Sequence, residues 1–134
     1  MDCIFCKIIK GEIPCNKFFE DEKFIAFLDI HPVAKGHSLI IPKEHFVWMQ
    51  ETPDDIVSDA FVLSKKIMKK MIVELGVEYV QVSVVGKDVP HFHIHLIPRM
   101  IGDDIKSREM LTYAEGEAEE LMAKPKYMKV LKTL

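Results

Sequence analysis

The sequence predicts a chain of mixed helix and sheet, and three observations carry that prediction. Runs rich in aromatic and β-branched residues occur between turn residues on both sides of the chain's middle. One long segment, Pro53 to Leu75, carries its apolar residues at helical spacing instead. The run from Pro90 to Arg99 alternates strictly, with His91, His93 and His95 separated by Phe92, Ile94 and Leu96. That period of two belongs to a half-buried strand.

Lys17–Glu20 reads as a short first strand and Asp21-Glu22 as a turn. Phe24–Leu28 is a second, more buried strand, ended by Asp29-Ile30-His31-Pro32 because proline cannot continue a ladder. His31 is a loop histidine. His37–Ile41 is a third strand closed by Pro42, with Lys43-Glu44-His45 directly after it. Thr52 is the expected N-cap of the long helix. Pro53 suits its first position, and Asp54 and Asp55 complement the positive end of the dipole. Ile56, Ala60, Phe61, Leu63, Ile67, Met68, Met71 and Ile72 form the apolar face, lysines the other, and Gly76 the stop. Tyr79–Val85 is a fourth strand. Its short link to the histidine strand makes the two antiparallel neighbours. Glu115–Ala123 is helical by pattern, Pro125 breaks it, and Tyr127–Leu134 forms a last turn or tail.

At 134 residues and 49% apolar content the chain makes one domain, 1–134. A net charge of −3 argues against non-specific nucleic-acid binding. No apolar run approaches the roughly 20 residues of a membrane span, and none resembles a signal peptide. Three cysteines, two of them close together, suit a reducing compartment, the cytoplasm, better than a disulfide framework.

The chemistry-bearing residues concentrate in two places. On a strand the three histidines share one face, neighbours about 7 Å apart, twice the rise per residue. Imidazole serves near neutrality as metal ligand, nucleophile or general acid. His91 and His95 are too far apart on a flat strand to share one metal. Cys3 and Cys6 form a single C-x-x-C, which is half of a zinc site, a redox pair, or two unliganded thiols. Cys15 is a packing residue.

The motif His-φ-His-φ-His-φ-φ at His91–Ile97 resembles that of the histidine triad (HIT) family of nucleotide hydrolases and transferases. Cys-Ile-Phe-Cys-Lys-Ile-Ile, Gly-Glu-Ile-Pro, Ala-Phe-Leu-Asp-Ile and Gly-His-Ser-Leu-Ile-Ile-Pro-Lys-Glu-His follow the family's order as well. The likeness covers about residues 3–99 and leaves 100–134 as an extension. It implies an α+β fold with a five-stranded antiparallel sheet and one long helix, and a homodimer in which two sheets join. It implies that His93 attacks the α-phosphorus of a purine nucleotide, that His95 meets the phosphate or leaving group, and that His37 supports them. It places the nucleoside against Ile4, Phe5, Ile8, Phe27, Leu28, Asp29 and Ile30, with Asp29 on the ribose. It implies a structural Zn²⁺ on Cys3, Cys6, His45 and His91, a closed Cys₂His₂ set.

The chain departs from the family between its last two strands. Many members carry an Asn, a longer Gly-rich loop and a Gln-Ser or Gln-Thr before the first histidine. Here the segment is only Val-Val-Gly-Lys-Asp-Val-Pro. Lys87 and Asp88 take the positions that would face the phosphate and leaving group. Lys87 would offset phosphate charge, whereas Asp88 would repel it unless it met a cationic leaving group; a solvated turn is the alternative. No Walker lysine loop is present, which excludes an ATP-driven motor or kinase. Two rival functions are a zinc-stabilised nucleotide-binding module with little turnover and a Cys/His redox or metal-carrier protein.

Overall fold

A computed structural model describes residues 3–103 and 115–122. Among these residues the chain opens with helix α1 (Ile4–Ile9), followed by strands β1 (Lys17–Glu20), β2 (Phe24–Leu28) and β3 (Ser38–Pro42). A 3₁₀ turn at Met49–Glu51 leads into α2 (Asp54–Leu75). Strands β4 (Tyr79–Ser83) and β5 (Ile94–Arg99) and helix α3 (Glu117–Met122) complete it. The strands form one antiparallel sheet in the order β1-β2-β3-β5-β4. The α+β class, the five-stranded sheet and the single long helix are therefore as the sequence indicated.

The sheet is covered on both faces over its centre. On one face Ala26, Leu28, Ile40, Ile94 and Leu96 meet Ala60, Leu63, Ile67 and Met71 of α2, with Ala118 and Leu121 of α3 in the same cluster. On the other face Ile25, Phe27, Leu39 and Ile41 pack with Phe5 and Cys3 at α1. Every residue of β2 and β3 is consequently buried. Each large side chain so buried contributes about 1.5–3 kcal/mol relative to exposure. Beyond α1, the face formed by β4 and β5 carries Gln81, Ser83 and His95, all only partly buried.

Several elements differ from expectation, each for a local reason. Thr52 does not cap α2. Its hydroxyl donates to the Trp48 carbonyl at 2.8 Å, closing the 3₁₀ turn, and the cap position falls to Pro53 with no side-chain bond. Gly76 ends α2 as expected, at φ 69° in the left-handed region that glycine enters freely. Ile72 lies on the open side of the helix, not in the core. The third strand begins at Ser38 and includes Pro42, whose carbonyl is used elsewhere. The fourth ends at Ser83. The histidine strand starts only at Ile94, although the alternation holds: Phe92, Ile94 and Leu96 all enter the main core. α1 was not foreseen. Tyr127–Leu134 lies outside the described residues.

Candidate functional site

Helix α1 begins at Cys3, whose sulfur accepts from the Cys6 backbone N–H at 3.3 Å. This short helix holds both thiols against the end of β3 and the segment before β5. Cys3 Sγ lies 3.3 Å from His91 Nδ1, and Cys6 Sγ lies 3.2 Å from His45 Nδ1 and 3.6 Å from His91 Nδ1. The two Nδ1 atoms are 3.2 Å apart. A tetrahedral zinc ion with Zn–S near 2.3 Å and Zn–N near 2.0–2.1 Å sets its ligand atoms about 3.3–3.8 Å from one another. The four donors therefore stand at nearly the spacing that such an ion imposes. His91 is completely buried and its Nε2–H donates to the Pro42 carbonyl at 2.8 Å. That bond places the proton on Nε2 and leaves the Nδ1 lone pair facing the thiols. A redox pair also wants a helix starting at its first cysteine, but here both sulfurs face imidazoles.

The remaining histidines carry a different wiring. His93 is buried, and its Nδ1–H donates to the His91 carbonyl at 2.7 Å. Its lone pair is thereby on Nε2. His37 Nδ1 accepts from the Val33 backbone N–H at 3.1 Å, so its proton sits on Nε2. That proton is donated to His95 Nδ1 at 3.0 Å, and His95 in turn keeps its own proton on Nε2. Asp29 Oδ2 stands 3.6 Å from His37 Nε2. Asp29, His37 and His95 are close enough to suggest a second metal group. A metal on His37 Nε2 would require an imidazolate, however, because Nδ1 is already an acceptor. His37 and His95 form a hydrogen-bond relay with the Asp29 carboxylate beside it. One run of the chain, His91 to His95, thus presents three imidazoles in three states: a lone pair toward the thiols, a lone pair on Nε2, and a donor on Nε2.

A model of the HIT domain family matches residues 10–101. The chain belongs to the histidine triad (HIT) family. It is 44% identical over 104 residues to the adenosine 5′-monophosphoramidase of Schizosaccharomyces pombe, covering 74% of this chain and 75% of that one. It is 39% identical over 121 residues to an adenylylsulfatase of Arabidopsis thaliana, covering 82% of this chain and 58% of that protein. Among solved structures it is similar to a zinc-bound histidine triad family protein from Mycobacterium smegmatis. There the TM-score is 0.83 at 29% identity, over 98% of this chain and 94% of that one.

Within this HIT fold the expected nucleoside-binding residues separate into groups. Phe5 and Phe27 meet edge to face at 5.7 Å, and Phe5 meets the His93 ring the same way at 5.0 Å. Ile8 packs against the same cluster. Asp29, with its side chain 18% exposed, lies 3.6 Å from the His37 ring beside them. Ile4 and Ile30 are exposed, Ile30 at 63%. Leu28 is brought elsewhere: it is 1% exposed and turned into the α2 core, so its side chain lies on the opposite face of the sheet from Phe27. Lys87 and Asp88 are exposed, and the Asp88 charge acts on His93 and His95. Three partners lay beyond sequence reasoning: the Pro42 and His91 carbonyls and the Val33 N–H. These are backbone groups, to which no residue pattern points.

Burial is the chief influence on His37, His91, His93 and the partly buried His95 of this HIT chain, and it holds the first three below the ordinary histidine value. His95 is pushed down to about 4, by burial first and then by His93 and His37. An unfolded His95 takes up its proton near 6.5, the folded one only near 4. Between those values the unfolded chain binds more protons, so stability rises with pH across that window and levels off above it. We predict that the Tm falls as pH drops from 6.5 toward 4, and that His95→Asn shows a shallower fall. Thermal melts of both proteins across this range check it. Parallel curves would show that His95 is not buried as a neutral group.

Proposed function

We propose that the chain is a nucleotidyl hydrolase or transferase that cleaves at the α-phosphorus of purine nucleotides. Its substrates would be phosphoramidates or dinucleoside polyphosphates, or nucleotidyl sulfates as in the adenylylsulfatase relative. As a HIT-family member with relatives named adenosine 5′-monophosphoramidase and adenylylsulfatase, the chain is an enzyme. The observation that carries the mechanism is the 2.7 Å bond from His93 Nδ1–H to the His91 carbonyl, which leaves His93 Nε2 as a neutral nucleophile. In the first step Nε2 forms a bond to phosphorus. The bond to the leaving group breaks with its electron pair, and that atom takes a proton as it departs. In the second step water adds to phosphorus and loses a proton, and His93 leaves neutral. The His95 Nε2–H is a donor for the charge that spreads over the phosphate oxygens. The Phe5–Phe27 pair would hold the base, and Asp29 the ribose.

Cys3, Cys6, His45 and His91 would hold a structural Zn²⁺, in keeping with the donor spacing and the zinc-bound relative. Such an ion would neutralise two thiolates, and its four ligands would tie α1, and so Phe5, to the triad segment. A homodimer fits the exposed apolar Tyr79 and Val82 on β4, an open edge of the sheet that a second copy would cover. Among the described residues no helix is long and apolar enough to cross a membrane. The free thiols suit a reducing compartment such as the cytoplasm.

A turnover panel of adenosine phosphoramidates, dinucleoside polyphosphates and adenylyl sulfate tests this reading. Release of nucleoside monophosphate from at least one class is the expected result. Tight nucleotide binding with no turnover across the panel would favour the nucleotide-binding module instead.

A further inference from the structure

Strand β4 carries a line of polar side chains up to the triad, and the chemistry above leaves it unused. In the antiparallel register Tyr79 stands opposite Arg99, Gln81 opposite Ile97 and Ser83 opposite His95. Directly paired residues share a face of the sheet, with their β-carbons about 4.5–5.5 Å apart. Gln81, Ser83, His95 and Arg99 therefore lie on one side. Asp103 grips the Arg99 guanidinium with both carboxylate oxygens: Nε–H donates to Oδ2 at 2.7 Å and Nη2–H to Oδ1 at 2.5 Å. Arg99 Nη1–H donates to Gln81 Oε1 at 2.6 Å, and Gln81 Nε2–H donates to Ser83 Oγ at 3.1 Å. The Arg99 and Asp103 side chains are only 17% and 16% exposed. The line begins in a largely covered ion pair and ends beside His95.

The line has a direction, and Arg99 sets it. A guanidinium carries only donors, so the Gln81 amide turns its oxygen to Arg99 and its NH₂ to Ser83. Ser83 Oγ is then an acceptor toward Gln81, and its single proton turns away from the amide. Among the described residues nothing accepts that proton, nor the Nε2 proton of His95, whose Nδ1 is filled by His37. Phe27, Leu39 and His95 are paired in turn across β2, β3 and β5, so the same face carries the Phe5–Phe27 pair. The His93 ring lies 4.8 Å from that of His95. Two uncommitted donors thus stand side by side, next to the nucleophile, on the face where the nucleotide is placed. Such a pair suits an oxyanion. Successive hydrogen bonds from a cation polarise one another, which makes the terminal hydroxyl a better donor.

We propose that Ser83 binds the α-phosphate, its hydroxyl donating to a non-bridging oxygen beside His95 Nε2–H, and that Gln81, held by Arg99, is the positioning residue that fixes the direction of that donation. This rests on the nucleotidyl-transfer reading above. The bonds made and broken at phosphorus are unchanged; Ser83 shares the charge that grows on the equatorial oxygens while His93 attacks. The same hydroxyl favours a nucleoside 5′-monophosphate over the free nucleoside. A hydrogen bond to a charged group is worth roughly 10–100-fold in affinity.

The test is the ratio of AMP to adenosine affinity, read by titration calorimetry, because a merely structural change weakens both ligands alike. Ser83→Ala should cut the ratio by about tenfold or more, and Ser83→Thr should keep most of it. Gln81→Glu tests the direction of the line. A carboxylate there keeps the Arg99 partner but cannot donate, so Ser83 gives its proton to that carboxylate and is lost to the phosphate. Gln81→Glu should therefore act like Ser83→Ala. Added to Ser83→Ala, it should change the ratio by no more than about twofold, since the two act through one bond. A ratio lost equally in both backgrounds would mean repulsion by the new carboxylate and would overturn the positioning role. A ratio that Ser83→Ala leaves unchanged would overturn the phosphate contact and leave the enzyme reading standing. A wild-type protein that binds neither AMP nor adenosine would overturn both.

Discussion

His93→Ala eliminates turnover, by at least ~10³-fold, while nucleotide binding persists. The expectation follows from tautomers more than from position in the motif. His91 has its Nε2 proton on the Pro42 carbonyl and its Nδ1 among the thiols, so neither nitrogen is available to phosphorus. His95 has its Nδ1 occupied by the His37 proton and presents N–H, not a lone pair, at Nε2. His93 alone of the three has Nδ1–H bound to a carbonyl and a lone pair on Nε2, and burial keeps it neutral. Loss of a nucleophile removes the covalent route outright. His95→Ala removes a positioned donor and is expected to cost about 10²–10⁴-fold. Rapid quench and mass spectrometry of the wild-type protein should find the nucleotidyl group on His93. An adduct on His91 or His95, or an active His93→Ala protein, would refute the assignment. Equilibrium dialysis with AMP shows whether binding survives, since Phe5, Phe27 and Asp29 remain.

Much of this arrangement was legible in the residues. The alternation of Phe92, Ile94 and Leu96 identified the core-facing side of the triad run, and all three sit in the main core. What the alternation did not disclose is where hydrogen bonding as a strand begins. The Phe92 N–H goes to the Phe46 carbonyl at 2.6 Å and the His91 N–H to Val89 at 2.8 Å. A loop thus serves the backbone that a ladder would have served, and a gap beside His93 results. Thr52 misled for a similar reason. Its hydroxyl had a nearer carbonyl at Trp48 than any helix N–H. α1 is too short for periodicity, and its cap is a cysteine, which the usual capping preferences rank low. Cys3 and Cys6 are 88 and 85 residues from His91. No spacing rule joins them; the family likeness did. The relay through Val33 and the locks on Pro42 and His91 use main-chain atoms, so only a folded chain reveals them.

Loss of the four-donor cluster should have the largest effect on stability. His91 is fully buried, and its ring bridges the thiols on one side and the Pro42 carbonyl on the other. His91→Ala therefore opens a cavity, orphans that carbonyl and removes one of the four proposed ligands at once. Cys6→Ser is the milder probe, because it keeps volume and polarity but replaces the thiolate that an ion of this kind prefers. Ion binding to a folded site is folding free energy. Loss of even ~3 kcal/mol shifts the Tm of a chain this size by roughly 10 °C. We expect protein purified without a histidine tag to hold about one zinc per chain, and Cys6→Ser to hold well under half of that. We also expect both Cys6→Ser and the chelated wild-type protein to melt roughly 10 °C or more lower. The rate per folded molecule should fall less than in His93→Ala, because His93, His95 and His37 bear no ligand atom of the cluster. Their alignment depends on it only through the His91 backbone and Phe5, whose ring lies 5.9 Å from His91 and 5.0 Å from His93. Elemental analysis, thermal melts with and without chelator, and active-site titration of the folded fraction separate these effects. Less than about a tenth of an equivalent of zinc after supplementation, or a melting temperature unmoved by chelation, would remove the ion from the account and leave the cluster as four hydrogen-bonded side chains.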